Sequence, residues 1–203
     1  MAALPQDVPK SKEAILLAAL KSFARDGFDG ASMPKIARMA QVAPPLIHYY
    51  FGSKEKLWQE TVDYSLGELR RASTAVLNAT RALAPLDRLR SLLQAITQFA
   101  AHWPDHFVMI VAEARSESDR FAWIQENYTG ALFQEILSIL RDARKSRSIK
   151  DVDVEQLAFI LVGGILLYFT VRPDVFEDKD LDKVSAEFTN LMFGMFLDGV
   201  AEG

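Results

Sequence analysis

The stretch SMPKIARMAQVAPPLIHYYFGSK, residues 32–54, decides the fold expected for this chain. Its apolar spacing predicts two short helices, over residues 33–40 and 45–50, with the tight turn of residues 41–43 between them. A further helix is predicted to begin at Ser53. Two short helices joined by a three-residue turn are typical of a helix-turn-helix, whose second helix lies in a DNA major groove.

The second short helix has one apolar side and one side suited to contact a partner. At about 100° per residue, Ile47 and Phe51 share one direction, whereas Pro45 and Tyr49 point roughly the opposite way, with His48 beside them. The apolar pair is expected to pack on the first helix of the chain. An outward tyrosine next to proline and histidine is a poor surface for water, so we expect DNA to cover it.

Composition limits the class of protein. Half of the 203 residues are hydrophobic and a quarter are charged, which is ordinary for a globular protein and excludes extended disorder. The absence of cysteine excludes disulfides and thiolate metal sites. The first residues lack the pattern of a signal peptide. The longest apolar run, residues 157–171, has 15 residues, short of the roughly 20 that a membrane span needs. A cytoplasmic protein without a membrane segment is therefore expected.

Charge is distributed unevenly along the chain, whose net charge is −4. Residues 1–56 contain eight Lys and Arg against five Asp and Glu, whereas the remainder contains fifteen against twenty-two. A basic N-terminal part on an acidic body fits a protein with one DNA-facing end. Chance unevenness in an acidic protein is the alternative.

Apolar residues recur at helical spacing through the rest of the chain, and no strand alternation, hairpin signal or repeat interrupts them. Ile15, Ala19 and Phe23 mark the apolar face of a first helix that is predicted to end near Gly27. Asp153 is placed to cap the helix of the long apolar run. The sequence predicts an all-α fold of about nine helices.

The N-terminal pattern resembles that of the tetracycline-repressor (TetR) family of transcription regulators over roughly residues 11–58. Beyond residue 58 the resemblance rests on length and helix count. It implies a helix-turn-helix DNA-binding domain over residues 1–55 and an effector-binding and dimerisation domain over residues 56–203. It also implies a homodimeric repressor that a small-molecule effector releases from a palindromic DNA operator. The positions that carry the resemblance are Gly27, Ser32, Ile36, Ala37, Ala40, Val42, Tyr49, Phe51, Ser53, Lys54, Glu55 and Leu57.

The same resemblance, carried over position by position, implies which residues face DNA. Two positions depart from the family pattern, because Gln41 stands where glycine is usual and Ala43 stands where a hydroxyl residue often caps the recognition helix. Ala43, Pro44 and Pro45 form a leading edge without side-chain donors, so it is expected to read thymine methyl groups, with His48 as the hydrogen-bonding reader. Phosphate contacts are expected from Ser32, Met33, Lys35, Tyr49, Tyr50 and Lys54.

An aromatic concentration in the central helices is the candidate lining of the effector pocket. Ligand pockets are mostly apolar with a few polar groups, which Glu113 and Arg115 are placed to supply. Core packing remains the alternative for each aromatic residue, and surface pairing for the two charged ones. The candidate residues are Phe99, Trp103, Phe107, Phe121, Trp123 and Tyr128.

A glycine pair in the apolar helix points to a close approach between helices. Gly163 and Gly164 each cost a helix roughly 1 kcal/mol in propensity, which contact across a two-fold axis would offset. Packing within one chain is the alternative. With the last helix, this predicts a four-helix dimer interface that contains Leu157, Leu161, Gly164, Tyr168, Phe188, Met192, Met195 and Phe196.

Two other functions stay open at this point. A small helical metal-dependent enzyme would use His102, Asp105 or His106, although Pro104 makes one continuous helix through both histidines doubtful. A ligand-binding protein with a weakened DNA-binding head is suggested by the double proline. No metal or cofactor is predicted.

Overall fold

The computed structural model describes residues 9–116, 118–171, 176 and 178–195. No strand occurs in these ranges, which confirms the predicted all-α class. Because α7, a π-helical turn and α8 follow one another without interruption, the described part contains nine continuous helices, as predicted. The bounds are α1 Lys10–Gly30, α2 Met33–Met39, α3 Pro44–Phe51, α4 Lys54–Ala79, α5 Pro85–His102, α6 Pro104–Ala114, α7 Arg120–Ile124, the π-helical turn Gln125–Thr129, α8 Gly130–Lys145, α9 Val154–Thr170 and α10 Leu181–Phe193.

Contacts within the chain group it into two compact units. The first comprises residues 1–68 and 105–124, and the second comprises residues 69–104 and 125–203. The first unit therefore combines α1–α3 and the start of α4 with α6 and α7. The domain boundary between residues 55 and 56 stays a prediction, since α4 continues through that position.

The first unit is built around α1. Ile15, Ala19 and Phe23 are buried, which confirms the predicted apolar face. Gly27 adopts φ +68° and ψ 175°, a backbone conformation that side-chain-bearing residues avoid, and it breaks α1 at the predicted position. Trp58 of α4 is buried in the same unit. These residues supply the rigid support on which α2 and α3 lie.

The second unit is organised by α5, which packs against α8, α9 and α10. The contact between α5 and α10 includes a buried polar pair, in which the Thr189 hydroxyl lies 3.3 Å from that of Thr97. At its edge the Arg90 guanidinium donates to Asn190 Oδ1 at 2.9 Å. Both threonine hydroxyls also donate to carbonyls of their own helices, so the buried pair is satisfied.

Side-chain caps start the last two helices. Asp153 Oδ1 accepts from the backbone N–H groups of Glu155 and Gln156 at 2.9 and 3.1 Å, which confirms its predicted capping role. Asp180 caps α10 in the same way. Among the described residues, no helix is long and apolar enough to cross a membrane.

The π-helical turn Gln125–Thr129 was not predicted. Such turns carry i→i+5 backbone spacing and widen the helix locally. Gly130 follows it directly, and a Cβ atom there would lie 2.6 Å from the carbonyl oxygen of Gln125, closer than real contacts allow. The turn therefore requires glycine at this position for lack of space.

A buried imidazole in the first unit predicts a pH dependence of stability. Burial lowers the pKa of His106 to about 3, whereas an unfolded histidine titrates near about 6.5. As the pH falls from about 6.5 toward about 3, the unfolded chain takes up a proton that the folded chain excludes, so stability is lost at up to about 1.4 kcal/mol per pH unit.

The expected result for His106→Leu is the loss of this slope. Urea unfolding of the wild type and the variant from about pH 7 to about pH 4.5 measures it. His102→Leu is the control, because His102 is exposed. Equal pH slopes for wild type and His106→Leu would contradict the prediction.

Candidate DNA-binding site

The turn between α2 and α3 closes the C-terminal end of α2 with two backbone hydrogen bonds. The N–H of Val42 donates to the carbonyl of Ala37 at 3.0 Å, and the N–H of Gln41 donates to the carbonyl of Arg38 at 3.1 Å. This pair of bonds defines a Schellman motif with Gln41 at its left-handed position, φ +56°. The departure from glycine noted in the sequence therefore falls on a strained residue.

Gln41→Gly is expected to stabilise the first unit by about 0.5–1 kcal/mol. A left-handed residue with a side chain costs about 1–2 kcal/mol, part of which is offset by the greater freedom of glycine in the unfolded chain. Thermal unfolding followed by circular dichroism measures the gain. Gln134→Gly, an exposed position inside α8, is the control and should lose about 1 kcal/mol. A lower melting temperature for Gln41→Gly would count against the strain.

The recognition helix α3 begins at Pro44, one residue earlier than predicted. Pro44 therefore occupies the first helical position, where a missing N–H costs nothing, and Pro45 the second. Ala43 precedes them without any side-chain cap, as its methyl group requires. Ile47 and Phe51 are buried, as predicted. The helix is thus held by packing and by its prolines.

The opposite side of α3 faces solvent. Tyr49 is 80% exposed, the largest exposed fraction among the large hydrophobic side chains of the described residues. Pro44, Pro45 and His48 are exposed with it. His48 Nδ1 lies 3.4 Å from the carbonyl oxygen of Gly52. Since a carbonyl only accepts, this contact requires the hydrogen on Nδ1 and leaves Nε2 of the neutral ring as an acceptor.

Tyr50 lies between this face and the start of α1. Its hydroxyl shares a hydrogen bond of 2.9 Å with Ser11 Oγ. Its ring meets that of Tyr49 edge-on, with centroids 5.4 Å apart. Close by, Lys12 forms a 2.7 Å ion pair with Glu60 of α4. The Tyr50 hydroxyl is therefore already used to fix α3 on α1, which the sequence did not indicate.

Lys35 is engaged by an acidic partner. Its Nζ donates to Asp26 Oδ2 at 3.0 Å, and Arg25 binds both oxygens of the same carboxylate at 2.9 and 3.0 Å. Hydrogen bonds from Arg25 and then Lys35 hold the pKa of Asp26 well below its usual range. Lys35 thus ties α2 to the end of α1 while its side chain stays partly exposed.

Lys54 is also engaged within the chain. Its Nζ donates to the backbone carbonyls of Asp29 and Ala31 at 3.3 and 3.0 Å. It also lies 4.5 Å from the centroid of the Phe28 ring. Lys54 therefore holds the connection between α1 and α2, and it leaves its positive charge near the start of α4.

At the start of α2 the two predicted residues differ in exposure. Ser32 is exposed, and its hydroxyl makes no capping bond to the helix. Met33 is only 8% exposed, so its side chain belongs to the core and only its backbone can meet a phosphate. Arg38, exposed in the last turn of α2, is a candidate that the sequence reasoning missed. The sequence does indicate Arg38, because it is the one basic residue in the last turn of α2.

The six candidate effector residues are divided between the two units. Phe107, Phe121 and Trp123 lie in the first, where the Trp123 ring contacts that of Trp58 at 5.6 Å. Phe99, Trp103 and Tyr128 lie in the second. None of them lines the surface depression of about 320 Å³ whose lining residues are Arg144, Arg147, Ile149, Lys150 and Asp151. The role of the six in binding an effector stays a prediction.

The candidate dimer residues also separate by exposure. Leu157, Leu161 and Met192 are buried in the second unit, so these three do not lie on a face that a partner could meet. Gly164 and Phe188 are half-buried, Tyr168 and Met195 are exposed, and Phe196 lies outside the described residues. The exposed apolar side of α9 and α10, here called the apolar seam, is instead formed by Phe159, Ile160, Leu167, Tyr168, Val171, Leu191 and Met195.

The histidine cluster considered for an enzyme does not form a metal site. Within the described residues, no group of three or more His, Cys, Asp and Glu side chains is arranged to hold a metal ion. His102 ends α5 and is exposed, with Nε2 3.8 Å from Asp182. His106 is buried in α6.

Known proteins share this N-terminal geometry. The sequence model described as bacterial regulatory proteins, tetR family, matches residues 15–61, which span α1–α3 and the start of α4. The HTH-type transcriptional regulator BetI of Rhizobium meliloti is 36% identical over 116 residues, 55% of this chain and 56% of that protein. The N-terminal part of the chain is similar to the tetR family. The matched region spans about half the length of BetI.

Other TetR-family members match over more of the chain. The HTH-type transcriptional repressor NicS of Pseudomonas putida is 27% identical over 168 residues, 81% of this chain and 77% of that protein. The structure of the ketosteroid transcriptional regulator KstR2 of Mycobacterium tuberculosis superimposes with a TM-score of 0.80 at 18% identity, over 99% of this chain and all of that one. At that identity the second match shows only that the two proteins share a fold.

Proposed function

We propose that this protein is a cytoplasmic, ligand-responsive transcriptional repressor that binds a near-palindromic DNA operator as a homodimer. The observation that carries the proposal is the exposed face of α3, with Tyr49 at 80% exposure beside Pro44, Pro45 and His48. An exposed helix of this size, supported by a buried Ile47 and Phe51, fits the major groove of DNA.

Phosphate contacts in this proposal come from groups on both sides of α3. The exposed Ser32 hydroxyl and the Tyr49 hydroxyl are placed to donate to phosphate oxygens. Lys35 and Lys54 contribute charge while they remain tied to Asp26 and to the carbonyls before α2. Arg38 joins this set, since it is exposed at the end of α2.

Sequence reading is assigned to the leading edge of α3. Pro44 and Pro45 offer only apolar contact, which suits the methyl group of thymine. His48 Nε2, left as an acceptor by the contact of Nδ1 with Gly52, matches the amino groups of adenine or cytosine in the major groove.

Pro45→Ala is expected to change base preference at one position of each half-site, by about 1–3 kcal/mol between thymine and the other bases. The change removes ring contact while α3 keeps Pro44 at its first position. Selection from a randomised operator library, followed by sequencing, measures the preference. Arg38→Ala, which removes a proposed phosphate contact at the end of α2, is the control and should weaken all sequences alike. A uniform loss for Pro45→Ala would show that the proline does not read a base.

The test of operator binding is fluorescence anisotropy with the DNA upstream of the protein's own gene. Because binding through many phosphates releases counterions, affinity should fall by about three orders of magnitude from about 50 to about 200 mM salt. Two inverted half-sites about one helical turn apart are expected in the protected sequence. Binding that is weak and indifferent to sequence at every salt concentration would favour a protein with a weakened DNA-binding head.

Dimerisation is assigned to the apolar seam. Several large apolar side chains are exposed on these two helices, among them Leu167 at 67% and Met195 at 63%, and the TetR resemblance places the interface on the last two helices. A Cβ atom at Gly163 would meet nothing within 4 Å in this subunit, so the subunit itself does not require glycine there. Close approach of a helix from the partner subunit would explain why glycine stands at this position.

The effector is proposed to be a small molecule, as the TetR resemblance implies. A mostly apolar ligand with few polar groups would suit a lining of aromatic side chains.

A further inference from the structure

Phe28 occupies a fixed position at the point where α1 gives way to the connection with α2. It directly follows Gly27, whose φ of +68° turns the chain out of the helix. Its ring stacks on that of Phe23, with centroids 6.0 Å apart, and meets the edge of Trp58 at 6.5 Å. Phe23 and Trp58 are both buried. Phe28 is therefore anchored to the core of the first unit.

Two cations lie against the Phe28 ring. Lys54 Nζ is 4.5 Å from the ring centroid, and Arg120 Cζ is 3.9 Å from it. Both distances are within the range at which a cation is attracted by the electrons of an aromatic face. One cation comes from the first residue of α4 and the other from the first residue of α7. The ring is thus the common contact of three segments.

Lys54 transmits this contact to the start of the helix-turn-helix. Its Nζ donates to the carbonyls of Asp29 and Ala31, while the N–H of Ala31 donates back to the carbonyl of Gly27 at 3.2 Å. The next residue is Ser32, the N-cap of α2. The position of α2 therefore depends on where Lys54 and Phe28 lie.

Arg120 is oriented from the other end by a buried carboxylate. Its Nε donates to Glu113 Oε2 at 2.9 Å, and the hydroxyls of Ser116 and Ser118 reach the same oxygen at 3.3 Å. The Glu113 side chain is 4% exposed. A carboxylate that is buried and bonded in this way fixes the rotamer of its partner guanidinium, so Arg120 cannot leave Phe28 without leaving Glu113.

We propose that Arg120 is a positioning residue for DNA binding, through which the buried Glu113 sets the place of the α1–α2 connection. A displacement of the Glu113–Arg120 ion pair moves the guanidinium from Phe28, loosens the contact of Phe28 with Lys54 and frees the start of α2. The inference rests on the proposed function for its effect on DNA.

The experiment uses the full-length protein with substitutions chosen to preserve folding. Arg120→Lys keeps a charge for Glu113 but loses the planar group that stacks on Phe28. The double variant Glu113→Gln with Arg120→Met removes both charges together, so no buried charge is left unpaired. Phe28→Leu removes the aromatic face from the other side. Lys21→Ala is the control, a cation in the same unit with an exposed side chain.

Two quantities are measured for each variant, with thermal unfolding as the check of folding. Hydrogen exchange followed by mass spectrometry reports on the peptide of residues 28–36, and anisotropy reports on operator affinity. Arg120→Lys, the double variant and Phe28→Leu should each raise exchange in that peptide by about fivefold or more and weaken operator binding by about tenfold. Lys21→Ala should leave both unchanged.

The outcomes separate this inference from the proposed function. Unchanged exchange in residues 28–36 for Arg120→Lys and the double variant overturns the positioning role, even where the wild type binds its operator. Faster exchange with wild-type operator affinity overturns the link from Arg120 to DNA. A wild type that binds no operator overturns the proposed function, and the exchange result still decides whether Arg120 holds the connection.

Discussion

Replacement of Phe159 and Leu167 by glutamate in the same chain is expected to give a folded monomer whose operator affinity is at least about a hundredfold lower. The two side chains are 68% and 67% exposed on α9, and the ring of Phe159 contacts that of Phe133 of α8, with centroids 5.0 Å apart. The substitution therefore removes one ring contact at the surface of the subunit and leaves the buried core intact. In a dimer the same positions would bring four carboxylates into an apolar interface, where unpaired charges are strongly disfavoured. The dimer should dissociate while the subunit stays helical.

The loss of affinity follows from the separation of the two heads. In a dimer, binding of the first head holds the second near its half-site, which raises overall affinity by about 10²–10⁴. Light scattering coupled to gel filtration measures the mass, and anisotropy with a two-half-site operator measures binding.

Leu83→Glu provides the matched control. Leu83 is exposed and apolar but lies between α4 and α5, away from the apolar seam. It should leave both mass and affinity unchanged. A wild type that elutes as a monomer, or a double-glutamate variant that remains a dimer, would contradict the assigned interface.

Gly130→Ala is expected to destabilise the protein by about 1–3 kcal/mol, although the same change inside a helix normally stabilises by about 1 kcal/mol. The sign reverses because the new Cβ atom would lie 2.6 Å from the carbonyl oxygen of Gln125. That oxygen belongs to the backbone of the π-helical turn and cannot move as a side-chain tip can. For a chain of this length, the melting temperature should fall by roughly 2–10 °C.

Gly163→Ala, made in the monomeric background of Phe159→Glu and Leu167→Glu, is the control. An added Cβ there meets nothing within 4 Å of the subunit, so helix propensity alone should raise the melting temperature. If Gly130→Ala also raised it, the π-helical turn would convert to a regular helix at no cost, and the steric argument would be wrong.

Local signals in the sequence were sufficient for the helix-turn-helix. Gly27, the turn around Gln41 and the inward pair Ile47 and Phe51 were all predicted from rules that act over a few residues, and the structure confirms them. The cap at Asp153 belongs to the same class. Such features depend on the local backbone preference of single residues and on the helical period of apolar residues, and both can be read from a short stretch of sequence.

Partners that lie far apart in the sequence were not predictable. Lys35 and Lys54 were expected to face phosphates, yet they bind Asp26 and the carbonyls of Asp29 and Ala31. The pattern of charges shows how many cations lie in the DNA-binding part of the chain. It does not show which of them already form a hydrogen bond or ion pair within the protein. The π-helical turn was not predicted either. Its backbone hydrogen bonds span five residues instead of four, and the apolar pattern of the sequence does not show this difference.

The interface residues show a different limit. The helix α9 is apolar on nearly all sides, so its period does not distinguish the face that packs inward from the face that points outward. The sequence predicts Leu157 and Leu161 at the dimer interface, but both are buried within the subunit, whereas Phe159 and Leu167 are exposed. Only packing against the rest of the subunit decides which face is buried, and the sequence of α9 alone does not determine that packing.

The two prolines at the start of α3 have a thermodynamic consequence for association with DNA. Pro44 and Pro45 fix two φ angles of the recognition helix before any operator arrives, and Ile47 and Phe51 hold it on the core. Little ordering entropy remains to be lost when the complex forms. Calorimetry should therefore show a smaller negative heat capacity change than for a head that folds only on its operator.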